Sequence, residues 1–203
     1  MLKPNLIILL HGFNSSVGSK SREIAEFLAE HHFADQFELI TPKLDPDPRV
    51  AVDYIDNLIG SNDRRVVHLI GTSLGGFYAL YFKAKFNEKF LIVHSINPSW
   101  TPSISLAPFV NQSLENFKTK ESWIFGEIYL LRLEEYERYI QENLKTEACK
   151  SLYLHISNSD EILKFDKMLN YLDKHKINYI KNIYDTDHRF RNIKEVMKLI
   201  VTI

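Results

Sequence analysis

Ser73 is the residue whose surroundings in this 203-residue chain most favour chemistry. It stands in Gly71-Thr72-Ser73-Leu74-Gly75, directly after the apolar run from Val66 to Ile70 and before a stretch with helical spacing. A serine between two glycines at a strand-to-helix turn is typical of a nucleophile elbow, in which a strained backbone exposes the hydroxyl. A purely structural turn would look similar, whereas a phosphate-binding loop would need a lysine that is absent. The pattern therefore favours acyl transfer at Ser73.

A serine nucleophile needs a general base, and His188 is the histidine in the right place. It follows the last predicted strand, in Asp185-Thr186-Asp187-His188-Arg189-Phe190, where a loop can bring the imidazole over Ser73. His68, His94 and His155 fall inside strand patterns, so we interpret them as hydrogen-bonded core residues. The spacing of the histidines predicts no metal site.

Asp160 is the predicted acid that orients this base. It follows the fifth predicted strand in Ser157-Asn158-Ser159-Asp160-Glu161, and so lies at the carboxyl edge of the sheet, where the acid of such a triad belongs. The alternative interpretation is a helix N-cap, a common role for an aspartate before an apolar periodic run. Glu161, Asp185 and Asp187 remain alternative candidates for the acid.

Two backbone amides are predicted to stabilise the negative oxygen of a tetrahedral intermediate. One belongs to Leu74, the residue after the nucleophile, and the other to Phe13, in the loop after the first strand. That loop reads His11-Gly12-Phe13-Asn14-Ser15-Ser16, and a plain strand-to-helix turn would have a similar composition.

Short apolar runs alternate with stretches of helical periodicity, which predicts an α/β fold with a doubly wound, mainly parallel six-stranded sheet. We expect the strand order 2-1-3-4-5-6, in which the loop after the first strand and Ser73 meet at the point where the strand order reverses. The predicted strands are Leu6 to Leu10, Phe37 to Thr41, Val66 to Ile70, Phe90 to Ile96, Leu152 to Ile156 and Tyr179 to Tyr184. The predicted helices are Lys20 to His31, Arg49 to Ile59, Leu74 to Lys85, Ile162 to Lys174 and Ile193 to Val201.

The alternation breaks between residues 98 and 150, which predicts a cap-like insertion in a single domain spanning residues 1–203. The second half of this segment has Leu133, Tyr136, Ile140 and Leu144 at helical spacing, so we expect an amphipathic helix packed on the body. Trp100, Phe109 and Trp123, together with His11, are candidate substrate-binding residues. Ordinary core packing is the alternative for the three aromatic residues.

Composition limits the partners. The chain has 25 basic and 26 acidic residues, a formal net charge of −1, and so no overall charge that would recruit nucleic acid or an acidic membrane surface. The N-terminal apolar run is too short for a signal peptide, and no run approaches the length of a membrane helix. The single cysteine, Cys149, fits a reducing compartment, so we predict a cytoplasmic protein without a metal or cofactor. The oligomeric state stays open.

The motifs together resemble the small YqiA-like esterases of the α/β-hydrolase superfamily. The resemblance rests on His11 to Ser16, on Ser73-Leu74-Gly75-Gly76-Phe77-Tyr78-Ala79, on Asn97-Pro98, on Asp160-Glu161 and on His188 with Phe190. It implies the nucleophile, acid and base roles for Ser73, Asp160 and His188, and hydrolysis of carboxylic esters or acyl thioesters without a cofactor. The insertion matches least.

The leading hypothesis is therefore a serine hydrolase that acts through an acyl-enzyme on a small-molecule ester or thioester. One alternative is a binding or scaffold protein that keeps the fold without the chemistry. Another is an acyltransferase, which would use the same serine with an acceptor other than water.

Overall fold

The computed structural model describes residues 4–16, 18–61, 65–86, 90–144 and 151–203. Cys149 lies outside the described residues, so the structure adds nothing to the interpretation of its redox compartment. The central sheet contains β1 (Asn5–Leu10), β2 (Phe37–Ile40), β3 (Val67–Thr72), β4 (Leu91–Ile96), β7 (Leu152–Ser157) and β8 (Ile180–Tyr184). The helices that follow these strands are α1 (Ser19–Glu30), α2 (Pro48–Gly60), α3 (Leu74–Lys85), α6 (Asp166–Lys174) and α7 (Ile193–Ile200).

The sheet has the order β2-β1-β3-β4-β7-β8, and every neighbouring pair is parallel. Counting the strands of this sheet alone, the order is 2-1-3-4-5-6, so the predicted topology is confirmed. Because order reverses between β1 and β3, the loops after these two strands open a crevice at the carboxyl edge of the sheet.

Alternation along the strands divides the core between the two faces of the sheet. Leu6, Ile8 and Leu10 of β1 pack with helices α2, α3 and α6 on one face. Ile7 and Leu9 point the other way and pack with α1 and α7. Helices on both faces explain why the inner strands are almost continuously apolar.

The insertion between β4 and β7 begins with the short helix α4 (Pro102–Ser105) and the 3₁₀ turn Ala107–Phe109. A two-stranded hairpin follows, made of β5 (Ser113–Glu115) and β6 (Ser122–Ile124), and then the long helix α5 (Glu127–Asn143). Tyr136 of α5 packs on Tyr81 of α3, with ring centroids 4.7 Å apart. The predicted amphipathic helix is confirmed, and the predicted insertion beyond residue 144 lies outside the described residues.

One helix begins later than the sequence predicts. We expect a helix from Ile162, but α6 starts at Asp166. The Asp160 carboxylate accepts hydrogen bonds from the amides of Ile162 and Leu163 and so holds a tight turn in place of a first helical turn. As a result Ile162 is exposed, although its spacing predicts a buried position.

None of the helices within the described ranges combines the length and apolar content needed to cross a membrane.

Candidate active site

Ser73 occupies a strained turn between β3 and α3. Its backbone has φ 55° and ψ −114°, in the left-handed half of conformational space that a non-glycine residue seldom adopts. The Ser73 amide donates to the carbonyl of Ile96, and its carbonyl accepts from the amides of Phe77 and Ser99. These three hydrogen bonds stabilise the strained turn, as a nucleophile elbow requires.

The flanking glycines allow backbones to approach too closely for a side chain. A Cβ on Gly71 would lie 2.0 Å from the carbonyl oxygen of Gly75, and a Cβ on Gly75 would lie 2.5 Å from that of Leu10. The start of α3 is therefore pressed against the ends of β1 and β3. Both glycines of the pentapeptide are needed for this turn.

His188 and Asp160 meet across the loops that follow β8 and β7. The His188 Nδ1 and Asp160 Oδ2 atoms are 2.7 Å apart, and the Asp160 side chain is only 1% exposed. Because a carboxylate can only accept, the proton of this bond belongs to Nδ1, which leaves Nε2 with a lone pair. That is the tautomer a general base needs.

The other acid candidates bind elsewhere. Glu161 accepts a hydrogen bond from the backbone amide of His188, which lowers the pKa of Glu161, but it does not bind the ring. Asp187 pairs with Arg191 and accepts from the amide of Arg189, and Asp185 accepts from Asn158. Among the predicted acids in the described ranges, only Asp160 touches the imidazole.

The loop after β1 lies directly against Ser73. A Cβ added to Gly12 would be 3.3 Å from the Cβ of Ser73, so Phe13, the next residue, is close to the nucleophile. Leu74 is the first residue of α3, and its amide therefore has no acceptor within the helix. The amide of Leu74 thus lies at the N-terminus of α3, where negative charge is stabilised, and Phe13 follows the glycine that lies against Ser73.

The Ser73 hydroxyl and the His188 ring are not hydrogen-bonded to each other. Within the described residues Ser73 Oγ has no hydrogen-bond partner, and His188 is bonded through Nδ1 alone among its ring atoms. His188 and Asp160 are thus paired, and Ser73 lies beside the loop after β1. Catalytic hydrogen bonds are often long in the ligand-free state and tighten on substrate binding.

A cavity of about 510 Å³ opens beside this loop, and it receives two of the four predicted substrate-binding residues. His11 and Trp123 line it, whereas Trp100 packs against Tyr171 and Phe109 packs against Phe13. His11 is also structural, since its Nε2 accepts from the amide of Leu44 and its Nδ1 donates to the carbonyl of Gly12. Burial lowers the pKa of His11, in agreement with an Nε2 atom that accepts a hydrogen bond.

Asn97 hydrogen-bonds to the end of β7 and to the loop after β8. The sequence did not predict this role. It is buried at the end of β4, and its side-chain oxygen accepts from the amide of Ser157 at 2.8 Å. Its Nδ2 donates to Ser157 Oγ at 2.7 Å and to the carbonyl of His188 at 3.3 Å. Ser157 Oγ in turn donates to the carbonyl of Asp187. The Asn-Pro pair directly after a buried strand was the available signal.

Comparison with known proteins agrees with this architecture. FrmB, the S-formylglutathione hydrolase of Staphylococcus aureus, has a TM-score of 0.70 at 17% identity and matches 100% of this chain and 84% of its own. Est1E from Butyrivibrio proteoclasticus, solved with ferulic acid, has a TM-score of 0.69 at 12% identity. The match covers 99% of this chain and 91% of Est1E. The monoacylglycerol lipase of Paleococcus ferrophilus has a TM-score of 0.69 at 13% identity. The match covers 98% of this chain and 94% of the lipase. The chain has the α/β-hydrolase fold.

The family is shown by a separate match. The model of the uncharacterised protein family UPF0227, the YqiA-like family, matches residues 6–203. The chain therefore belongs to this family, and the resemblance found in the sequence motifs is confirmed.

Proposed function

We propose that this protein is a serine hydrolase that cleaves carboxylic esters or acyl thioesters through an acyl-enzyme. The observation that carries the proposal is the 2.7 Å hydrogen bond between His188 and the buried Asp160, which gives the base the correct tautomer. The strained turn at Ser73 and the adjacent amides of Phe13 and Leu74 support it.

The reaction begins when His188 Nε2 takes the proton of Ser73 Oγ and the oxygen attacks the acyl carbon. Negative charge then develops on the former carbonyl oxygen, and the amides of Phe13 and Leu74 donate to it. The imidazolium of His188, stabilised by Asp160, gives its proton to the leaving oxygen or sulfur. Water activated by the same imidazole hydrolyses the acyl-Ser73 ester and restores the free serine.

The cellular setting belongs to this proposal as well. One cysteine and a near-zero net charge support a protein of a reducing compartment, the cytoplasm, that acts on small molecules. No metal or cofactor takes part in any of these steps.

A fluorophosphonate probe tests the proposal against a scaffold without chemistry. We expect the probe to label wild-type protein stoichiometrically on Ser73 and to leave the Ser73→Ala variant unlabelled. The probe phosphonylates only a serine whose proton is removed by a base, so a merely exposed hydroxyl would not react. Folded wild-type protein that resists the probe would support the scaffold alternative.

Asn97 gives a prediction about positioning. Asn97→Gly keeps the left-handed backbone, with φ 42°, but removes the hydrogen bonds to Ser157 and His188. We expect kcat for a p-nitrophenyl ester to fall about 10- to 100-fold with little change in KM, because a base displaced by about 1 Å loses its geometry. Stopped-flow and steady-state kinetics measure this.

Asn111→Gly is the matched control, since Asn111 has φ 59° on the exposed surface of the insertion. It should leave kcat unchanged. If Asn97→Gly lowered the melting temperature but kept full kcat, the role of Asn97 would be structural only.

A further inference from the structure

The position of the cavity beside the loop after β1 indicates which part of the substrate it binds in the proposed reaction. Its lining includes Gly12, Phe13 and Leu74, which lie next to Ser73, as well as residues of α2 and of the β5-β6 hairpin. None of its lining residues comes from the loops of Asp160 or His188. His188 must protonate the leaving group, which therefore lies on the His188 side of Ser73. The acyl group is left to occupy the cavity.

One part of the cavity wall is aromatic and aliphatic and includes Leu44, Pro46, Val50, Tyr54 and Trp123. The rest is polar and includes Lys43, Asp45 and Glu121. The indole nitrogen of Trp123 donates to Asn14, so the ring is fixed rather than free to turn. The apolar part of the wall fits an acyl chain of several carbons.

Tyr78 is a buried lining residue that carries a polar group, its phenolic hydroxyl. It lies one helical turn after Leu74 on the same face of α3, and only 2% of its surface is exposed. It lines the cavity, and within the described ranges its hydroxyl makes no hydrogen bond. The hydroxyl oxygen is accessible from the cavity and not enclosed by protein, so a group bound there can accept its hydrogen bond. Its position indicates that the acyl group supplies this partner.

The charges around Tyr78 define what that partner is. Burial raises the pKa of Tyr78, with smaller contributions from Tyr136, Asp47 and Asp45, so the phenol stays protonated and can donate. Asp47 is paired with Arg132, whereas Asp45 lines the cavity without a cationic partner in the described residues. The Lys43 ammonium is neutralised by Glu121 at 2.9 Å. An acyl group with a second carboxylate would be repelled, and a neutral acceptor would be favoured.

We propose that the cavity binds acyl groups carrying a neutral hydrogen-bond acceptor oxygen, such as a ketone, hydroxyl or ether, and that Tyr78 donates to this oxygen. The inference rests on the proposed esterase function. It makes Tyr78 a specificity-determining residue, because a site built to hydrogen-bond a substrate oxygen discriminates against the analogue without it.

Matched esters test this assignment. p-Nitrophenyl heptanoate is compared with its 4-oxo, 5-oxo and 6-oxo derivatives, which share the leaving group and chain length. We expect wild-type protein to hydrolyse at least one oxo ester with kcat/KM about three- to tenfold above that of heptanoate, the value of one neutral hydrogen bond. Tyr78→Phe should bring this ratio to one or below while heptanoate hydrolysis persists.

Tyr139→Phe is the control, because Tyr139 packs against Tyr81 and does not line the cavity. It should keep the preference, and an unchanged melting temperature of Tyr78→Phe shows that this variant is folded. The proposal is overturned if no oxo ester is preferred, or if the preference survives in Tyr78→Phe. Failure of the esterase function itself is distinguishable, because wild-type protein would then hydrolyse none of the four esters.

Discussion

Asp160→Asn is expected to lower kcat/KM for a p-nitrophenyl ester by about 10³- to 10⁴-fold while the melting temperature changes little. The asparagine oxygen can still accept from the amides of Ile162 and Leu163, so its NH₂ group then faces His188 Nδ1. That contact requires Nδ1 to accept, which moves the ring proton to Nε2. A base protonated at Nε2 cannot deprotonate Ser73.

Asp185→Asn and Asp187→Asn serve as matched controls, because both carboxylates lie in the His188 loop without touching the ring. Steady-state kinetics of both variants should resemble those of wild-type protein. Full activity of Asp160→Asn together with a large loss in either control would show that the acid is assigned to the wrong residue.

Acid unfolding is the second large effect, and three buried histidines cause it. His94 Nδ1 lies 3.2 Å from His155 Nε2, and His155 Nδ1 lies 3.0 Å from the hydroxyl of Tyr184. The His68 ring stacks on His94, with centroids 5.8 Å apart. Within the described residues, His68 Nδ1 and His94 Nε2 are buried without a partner. In the part of the chain that the structure describes, no carboxylate hydrogen-bonds or pairs with any of these three rings.

Burial therefore holds all three histidines neutral. It lowers the pKa of His68 to about 4 and that of His155 to about 3, and it lowers the pKa of His94 well below the usual value. In the unfolded chain each histidine takes up a proton near pH 6.5. Between these values the unfolded state binds more protons than the folded state, so stability is fully present above about pH 6.5 and falls as the pH decreases toward about 3.

The size of this loss is comparable with the stability of a typical domain. A displacement of one pKa unit corresponds to about 1.4 kcal/mol. His68 and His155 together therefore lower the free energy of unfolding by on the order of 5 kcal/mol between pH 6.5 and pH 4. Typical domains have about 5–15 kcal/mol in total. Urea titrations at a series of pH values should show a steep fall in the free energy of unfolding below pH 6.

His68→Leu separates this cause from general acid effects. The leucine fills much of the same space without titrating, so the slope of unfolding free energy against pH should decrease by up to one proton, about 1.4 kcal/mol per pH unit. Asn111→Gly, a change at an exposed site without a titratable group, should leave the slope unchanged. Equal slopes for wild-type protein and His68→Leu would exclude His68 as a source of the acid sensitivity.

Local patterns predicted most of the fold. The apolar strands, the periodic helices and the Gly71 to Gly75 turn are each specified within a few residues, so strand order and the position of Ser73 were readable. The β5-β6 hairpin was not, because its strands are three residues long and mostly exposed, so they lack an apolar run. The true start of α6 was hidden because the Asp160 side chain replaces helical hydrogen bonds.

The sequence predicted the main residues of the site, but it did not predict the residues that position them. Chain order singled out His188 and favoured Asp160 as the acid, but Glu161, Asp185 and Asp187 stayed open as alternatives. Only the folded chain shows which carboxylate reaches Nδ1. The contacts of Asn97 span about 60 to 90 positions in the chain, and such a separation leaves no local pattern. Tyr78 looks like any apolar helix position, and its place in the cavity depends on loops far away in the sequence.

Trapping the acyl-enzyme tests the central claim most directly. Wild-type protein is mixed with a p-nitrophenyl ester, quenched in acid within the first turnovers, and its intact and peptide masses are measured. The structure predicts one acyl group per chain on the peptide that contains Ser73, and none in Ser73→Ala. Ester hydrolysis that continues without an adduct, or an adduct on another residue, would contradict the assignment of Ser73 as the nucleophile.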